Sequence, residues 1–329
     1  MIDVVALGEL LIDFTCVSTD ADGYPTMAAH PGGAPANFLA ALAKFGAKAA
    51  LLGKVGSDAF GKLLVGTLDA AGIETRGLVV TDQVFTTLAF VTLDDRGDRE
   101  FSFARKPGAD TCITFEELDL SLMDQAKVFH FGTLSLTDEP ARSATYRAVE
   151  YAKSHGKLIT YDPNLRPPLW KTLEEAKEQI GFGMEWCDVM KISDNEIQWF
   201  TGKEDFDEGI RILQDTYHIP LILLSLGRDG SRAYYKNMKV EAKPFLQKNT
   251  IETTGAGDTF CACVINYVLE HGLHNLTEEN LQEMLTFANA AASLITTRKG
   301  ALRVMPEKAE VEDILAKNPP TNNYLEGIR

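Results

Sequence analysis

Short apolar runs alternate along the chain with segments whose apolar residues recur at helical spacing. Six runs have the length and composition of buried strands: 4–7, 49–55, 128–131, 158–161, 189–192 and 221–224. Helical spacing is found at 34–46, 58–72, 139–154, 171–182 and 204–216, and again at 257–271 and 278–297. Strands that alternate with helices pair in parallel through right-handed crossovers, and the helices cover both faces of the sheet. The pattern predicts an α/β fold with a mainly parallel central sheet.

One region departs from this alternation. Residues 87–93 and 100–105 alternate in side-chain character, and the polar residues between them are typical of a hairpin turn. With a strand from about residues 14–30, this hairpin is predicted to form a small β lid over a substrate. We expect the lid to comprise about 14–30 and 85–106 within a single domain, 1–329, because no stretch resembles an interdomain linker. The lid is also a candidate surface for a homodimer.

Composition and charge narrow the class of protein. Of 329 residues, 45% are hydrophobic and 24% charged, as in ordinary globular proteins. No apolar run approaches the roughly 20 residues of a membrane-spanning helix, and the chain opens without the basic region and cleavage site of a secretory signal. We therefore expect a cytoplasmic location. The formal net charge is −15 and the basic residues are dispersed, which argues against nucleic acid and anionic membranes as partners.

The most specific chemistry lies in Gly255-Ala256-Gly257-Asp258, directly before a helical pattern. N–H groups at a helix start lack intrahelical acceptors, and the helix dipole favours negative charge there. Glycines let the main chain approach an anion closely. The segment predicts a phosphate site, although taken alone it is also compatible with a tight turn that only caps a helix. We expect the dipole to lower the pKa of Asp258, so that its carboxylate is ionised and can accept a proton from a hydroxyl.

A second glycine-rich helix entrance lies near the other end of the chain, at residues 31–37 (PGGAPAN). Together with residues 8–13 (GELLID) and the 255–258 segment, it resembles the ribokinase and fructokinase family of ATP-dependent sugar kinases. Two further strings fit the family, 162–170 (DPNLRPPLW), which is most like bacterial fructokinases, and 225–230 (SLGRDG). The resemblance spans nearly the whole chain. It implies a ribokinase-like three-layer sandwich with a small β lid.

The resemblance also implies phosphoryl transfer from ATP to a sugar. Asp258 would be the base that accepts the hydroxyl proton, while the amides of Gly255, Ala256 and Gly257 would hold the γ-phosphate oxygens. Magnesium would be bound mainly by phosphates and water, and Glu196 would be the carboxylate that contacts a magnesium-bound water. The family positions around the nucleotide are Asn164, Arg166, Ser225, Gly227, Gly230 and Asn289. Asn289 is explained equally well as a polar packing residue.

Recognition of a sugar requires fixed donors and acceptors, because an unpaired buried polar group is costly. Asp13 can accept from two hydroxyls, and Asn37 can both donate and accept. Gly32 and Gly33 admit the sugar close to the backbone. Arg105 resembles a family position that reaches the substrate from the lid, although an exposed surface arginine is an equally good explanation.

Several alternatives remain open at this stage. D-fructose is the favoured acceptor, but 2-keto-3-deoxygluconate, ribose and nucleoside kinases share the same phosphate machinery. A sensor that kept the fold and lost the reaction is a hypothesis of another class. No Gly-Lys pair is followed by Ser or Thr, and no Gly-x-Gly-x-x-Gly follows the first strand, so a P-loop or a dinucleotide site lacks its usual signature. Potassium is a further expectation, because the family holds a monovalent cation near the positions of Glu252 and Gly300.

Overall fold

In the computed structural model the described residues are 1–93 and 99–317, so the expected hairpin tip at 94–98 lies outside them. The strands are β1 (Val4–Leu7), β2 (Leu11–Thr19), β3 (Pro25–Gly32), β4 (Ala49–Gly56), β5 (Leu78–Thr81), β6 (Leu88–Leu93), β7 (Arg99–Ala104), β8 (Val128–Gly132), β9 (Leu158–Asp162), β10 (Val189–Ser193), β11 (Leu221–Ser225), β12 (Ser231–Tyr235) and β13 (Met238–Ala242). The helices are α1 (Ala34–Lys44), α2 (Ala59–Ala70), α3 (Leu120–Gln125), α4 (Ala141–Ser154), α5 (Leu173–Trp186), α6 (Asp194–Thr201), α7 (Phe206–Tyr217), α8 (Ala256–His271), α9 (Glu278–Ile295) and α10 (Lys308–Lys317).

The larger sheet has nine strands in the order β13-β12-β11-β10-β9-β8-β1-β4-β5. The seven strands from β11 to β5 in this order are parallel, and β12 runs antiparallel to both of its neighbours. β1 pairs with β4 on one side and with β8 on the other, so the direction of strand addition reverses at β1. Such a switch point opens a crevice at the carboxyl ends of the strands, where α/β proteins bind ligands.

Successive strand residues point to opposite faces, and the two faces bury separate cores. Val4 and Ala6 of β1 belong to a core that α1, α2, α8 and α9 complete, whereas Val5 and Leu7 belong to the core beneath α3 to α7. The result is helix, sheet and helix in three layers. This confirms the predicted fold class, with its mainly parallel sheet and helices on both faces.

The lid is a second sheet of four strands in the order β3-β2-β6-β7. The expected single strand at 14–30 is instead an antiparallel pair, because the chain turns between β2 and β3. The Asp20 carboxylate accepts hydrogen bonds from the Asp22 and Tyr24 amides, at 3.0 and 2.8 Å, and thereby closes that turn. The hairpin of β6 and β7 agrees with its prediction.

Several elements were not predicted from the sequence. They are β5, the edge hairpin of β12 and β13, and the helices α3, α6 and α10. Within residues 1–93 and 99–317, none of the helices is long and apolar enough to cross a membrane.

Candidate active site

The predicted anion cradle forms the first turn of α8. The first intrahelical bond of this helix runs from the Thr259 N–H to the Gly255 oxygen at 2.8 Å, so the N–H groups before it have no acceptor inside the helix. The Ala256 N–H is directed to the Thr253 oxygen at 3.2 Å. The N–H groups of Gly257 and Asp258 are therefore better placed than that of Ala256 to donate to an anion. The expected hydrogen bond from the Ala256 N–H to a γ-phosphate oxygen is not favoured by this geometry.

The two glycine-rich helix entrances meet at a direct side-chain contact. The Asn37 Nδ2 in α1 donates to the Asp258 Oδ2 in α8 at 2.8 Å. Asn37 is only 4% exposed, and its Oδ1 is buried with no hydrogen-bond partner among the described residues. A buried acceptor without a partner is costly, and a ligand hydroxyl would satisfy it. The predicted base and a predicted sugar contact thus occupy one site, although they are 221 residues apart in the chain.

The pKa of Asp258 is raised, not lowered as the sequence suggested. Burial is the largest cause, and the hydrogen bond from Asn37 and the charges of Lys191 and Arg166 oppose it only in part. The helix dipole favours the carboxylate, but it acts against the cost of desolvation. A raised pKa brings the carboxyl group closer to neutral pH, where a general base is most effective.

Asp258 lines a pocket at the switch point of the sheet. The pocket is bounded by the start of α1, the ends of β8 and β9, and the first turns of α8, and its lining includes Glu9, Phe38, His130, Thr133 and Asn164. His130 stacks on the Phe38 ring, and its Nδ1 lies 2.9 Å from the Thr160 hydroxyl. Burial lowers the pKa of His130 to about 3, so it is a neutral, hydrogen-bonded histidine.

Gly33 and Glu9 hold the entrance of α1 against the end of β1. The Glu9 Oε1 accepts the Ala34 N–H at 2.8 Å. Gly33 has φ 120, and a Cβ at this position would lie 2.3 Å from the Glu9 carbonyl oxygen. Only glycine allows this close approach to the Glu9 backbone. The expected approach of a sugar to Gly33 stays a prediction. Glu9 itself was missed, and the signal for it was an acidic residue directly after the first strand.

Asp13 and Gly32 are also brought together, at the base of the lid. Asp13 lies on β2 opposite His30 of β3. Its Oδ2 would be 2.2 Å from a Cβ placed on Gly32. The carboxylate therefore lies against the backbone that leads into α1. Their roles in sugar binding stay predictions that this placement favours.

Arg105 directly follows the lid strand β7, and it is 4% exposed. Its Nε donates to Asp110 at 2.8 Å, and its two terminal nitrogens donate at 2.7 Å to the Thr137 hydroxyl and the Leu134 oxygen. Every nitrogen of the guanidinium thus has a protein acceptor. The explanation as an exposed surface arginine is therefore wrong. A contact of Arg105 with the substrate stays a prediction, which these hydrogen bonds do not favour.

The predicted nucleotide residues lie along the carboxyl edge of neighbouring strands. Asn164 and Arg166 follow β9, and Ser225 ends β11, where it pairs with Ser193 of β10. Arg166 is close enough for its charge to lower the pKa of Asp258. Gly227 and Gly230 form the turn into β12 and both have positive φ. Nucleotide binding by these residues stays a prediction, which their shared place at the carboxyl ends of the strands favours.

Asn289 is placed differently from that group, in the middle of α9. Its Nδ2 donates to the carbonyl oxygens of Ala242 and Lys243, at 3.2 and 3.0 Å. The amide group therefore ties α9 to the end of β13. Of the two interpretations left open, polar packing accounts for these contacts.

Glu196 is an ionised carboxylate at the start of α6. Its Oε2 accepts from the Ser193 amide and hydroxyl, both at 2.8 Å, and its Oε1 accepts from the Leu165 amide at 2.8 Å. Its pKa is lowered, because the Lys191 charge and these hydrogen bonds outweigh burial. The described residues contain no group of three or more His, Cys, Asp or Glu side chains that could hold a metal. The contact of Glu196 with a magnesium-bound water stays a prediction.

A buried ion pair near Asp258 was not anticipated. Lys191 lies on β10, and its Nζ is 3.2 Å from the Asp162 carboxylate at the end of β9. The two side chains are 8% and 6% exposed. A single lysine inside the apolar run Val189–Ser193 was the available signal.

Comparison with known proteins assigns the class. The sequence profile of the pfkB family of carbohydrate kinases matches residues 1–308. The chain therefore belongs to the pfkB family of carbohydrate kinases, which confirms the resemblance noted in the sequence.

Individual fructokinases are similar to this chain over nearly its whole length. A probable fructokinase-4 from Arabidopsis thaliana is 39% identical over 317 residues, which are 96% of this chain and 97% of the relative. A crystal structure of a fructokinase from Xylella fastidiosa with bound ATP superposes with a TM-score of 0.87 at 28% identity, covering 96% of this chain and 98% of that one. A fructokinase from Vibrio cholerae O395 with fructose, ADP and calcium bound gives a TM-score of 0.84 at 28% identity, covering 95% and 99%.

Proposed function

We propose that this chain is an ATP-dependent fructokinase, which transfers the γ-phosphate of ATP to a hydroxyl group of D-fructose. The observation that carries the proposal is the contact of Asn37 with Asp258 at the first turn of α8. The contact places the Asn37 amide group, which can accept from and donate to a sugar hydroxyl, beside the Asp258 carboxylate, which can accept a proton. The N–H groups that can bind an anion belong to the same turn of α8. The fructokinase relatives, one of them solved with fructose and ADP, support D-fructose as the acceptor.

The reaction needs a nucleophile, a proton acceptor and a place for the transferring phosphoryl group. The fructose hydroxyl lies against Asp258, whose carboxylate takes the proton as the hydroxyl oxygen attacks the γ-phosphorus. A new oxygen–phosphorus bond forms, the bond to the β-phosphate oxygen breaks, and ADP leaves. Asp258 then releases the proton to water.

The remaining residues bind and orient the substrates. The Asn37 Oδ1 accepts from a sugar hydroxyl, which satisfies the buried oxygen, and Asp13 accepts from others at the base of the lid. The amides of Gly257 and Asp258 donate to the γ-phosphate oxygens, and Arg166 donates to the phosphates. Glu196 would contact a water ligand of magnesium, and the ion would neutralise phosphate charge.

The acceptor is tested by ADP release with MgATP over a panel of fructose, ribose, 2-keto-3-deoxygluconate and adenosine. We expect fructose to give the highest kcat/KM. Preference for another member of the panel would reassign the substrate while keeping the kinase chemistry. Binding of sugar and ATP without turnover of any member would instead support a sensor.

Two attributes of the protein are part of the proposal and have tests of their own. The lid edge strand β3 and the exposed side chains of Val17 and Tyr24, at 51% and 70%, support a homodimer through the lid. A sedimentation mass equal to that of one chain would contradict the homodimer.

The second attribute is a cytoplasmic location, which subcellular fractionation would test.

Potassium activation also stays a prediction. The Glu252 Oε1 accepts the Gly300 N–H at 2.7 Å, so the two expected neighbours of the cation are in contact. Turnover that rises with KCl but not with a tetramethylammonium salt would support it.

A further inference from the structure

The buried cation Lys191 lies directly behind the anion cradle. Its side chain approaches the first turn of α8 so closely that a Cβ on Gly257 would be 3.1 Å from Nζ and 3.5 Å from Cε. On its other side, Nζ is 3.3 and 3.2 Å from the two oxygens of Asp162. Lys191 therefore lies between a buried carboxylate and the turn whose amides would hold the phosphoryl group.

The charges around this ammonium come from three elements. Asp162 on β9, Glu196 on α6 and Asp258 on α8 all raise the pKa of Lys191, and together they outweigh the opposing effect of burial. Cys261 on α8 acts in the same direction. A buried lysine without such partners would lose its proton, so here it is a fixed positive charge.

The charge balance of the site makes this cation significant. Lys191 and Arg166 are the cations that act on Asp258, while Asp162, Glu196 and Asp258 are carboxylates. The γ-phosphate brings further negative charge to the same place. Its binding beside ionised carboxylates is unfavourable unless a nearby cation offsets the repulsion.

We propose that Lys191 is a positioning residue of the phosphoryl-transfer site: its buried ammonium, held by Asp162 behind the Gly257 turn, offsets the charge of the incoming phosphate and keeps Asp258 ionised. The inference rests on the proposed function, since it assigns Lys191 a part in that reaction. The ammonium acts through Asp258 and the α8 turn.

The opposing explanation is a buried ion pair that only joins β9 to β10. The chain offers a matched control, because Lys54 on β4 is also buried, at 8% exposure, and pairs with Glu117 at 2.6 Å and with the Cys112 oxygen at 3.1 Å. Lys54→Met removes a buried lysine of the same kind without touching the Asp258 cluster. A purely structural role predicts that Lys191→Met and Lys54→Met behave alike.

The test is the pH dependence of kcat/KM for fructose, whose acidic limb reports the base of the free enzyme. Lys191→Met should move that limb to higher pH by on the order of one unit or more, since an opposite charge at this range shifts a pKa by about 1–3 units. The KM for MgATP should also rise. Lys54→Met should lower the unfolding midpoint and leave the limb in place, and Lys191→Arg, which keeps the charge, should restore it.

A second variant covers the case in which Lys191→Met does not fold. Lys191→Gln removes the charge and keeps a polar group that can hydrogen-bond to Asp162, so it should move the acidic limb to higher pH as Lys191→Met does. An unchanged limb in Lys191→Gln, or a Lys191→Met profile that matches Lys54→Met, would overturn the inference. Failure of the proposed function is distinguishable, because Asp258→Asn in the same series would then keep its turnover.

Discussion

At the scale of single residues, the clearest prediction concerns Asn37. Replacing it with alanine removes the hydrogen bond to Asp258 and the proposed acceptor for a sugar hydroxyl. Loss of two such bonds should reduce kcat/KM for fructose by about 10- to 100-fold. Protection by ATP against unfolding should not change. Asn266→Ala, which removes a surface hydrogen bond to Glu270 on the same α8, is the control, and equal effects of the two variants would contradict the assignment.

Glu9 should make stability depend on pH. Burial raises its pKa from 4.5 to about 7, so the folded state holds the proton more tightly than the unfolded state does. Its favourable contribution is complete below pH 4.5 and is lost as the pH rises through 7. Glu9→Gln keeps an acceptor for the Ala34 N–H and cannot ionise. Its free energy of unfolding, relative to wild type, should therefore increase between pH 5 and 8, by on the order of 1–3 kcal/mol.

Urea unfolding at the two pH values checks this expectation. Glu116→Gln is the control, because that carboxylate is exposed and paired with Arg147, which lowers its pKa. Its effect on stability should be the same at pH 5 and 8. A Glu9→Gln difference that is equally constant would show that burial does not set the charge of Glu9.

The sequence was informative about residues whose role follows from local backbone geometry. Asp258 and Gly33 stand at helix entrances, and both lie where the motifs place them. It was misleading where long-range burial decides: the dipole argument gave the wrong direction for the pKa of Asp258, and the partners of Arg105 come from two separate segments, at 110 and at 134–137. Lys191 was missed because one lysine in an apolar strand gives no hint of its partner.

At the scale of elements, the entrance of α1 depends on Gly33. Alanine at this position would combine φ 120 with a Cβ 2.3 Å from the Glu9 oxygen, and such strain costs roughly 1–3 kcal/mol of folding free energy. Relief of the clash has to move the start of α1, which carries Asn37. Gly33→Ala should therefore lower stability and raise the KM for fructose.

A second glycine gives the matched control for this element. Gly66 lies inside α2, and a Cβ there would have nothing within 4 Å. Gly66→Ala should raise stability by roughly 0.5–1 kcal/mol, as expected for a helix interior. Thermal unfolding and the KM for fructose measure both variants. A Gly33→Ala protein with wild-type stability and KM would show that the entrance tolerates displacement.

Regular alternation made most elements predictable, and irregular stretches did not. The six buried strands were found because parallel strands covered on both faces are continuous apolar runs. The strands β12 and β13 lie at an edge of the sheet and lack that run. The lid was predicted with one strand too few, since the turn closed by Asp20 was not recognised before Gly23.

At the scale of the whole molecule, the site is assembled from distant parts of the chain. The residues proposed to bind the sugar come from the lid and α1, those proposed to bind the nucleotide come from the ends of β9 to β11, and α8 lies between them. The reversal at β1 creates the crevice in which they meet. The central claim is thus that Asp258, which lies between the proposed sugar and nucleotide residues, is the general base of the reaction.

The most direct test compares wild type with Asp258→Asn in fructose-dependent ADP release, with ATP binding measured separately. The amide is close in shape to the carboxylate and cannot accept the hydroxyl proton in the same way. We predict that turnover falls by about 100-fold or more, in line with the contribution of general base catalysis, while ATP still protects the variant from unfolding. Near-normal turnover by Asp258→Asn, with ATP bound, would contradict the account.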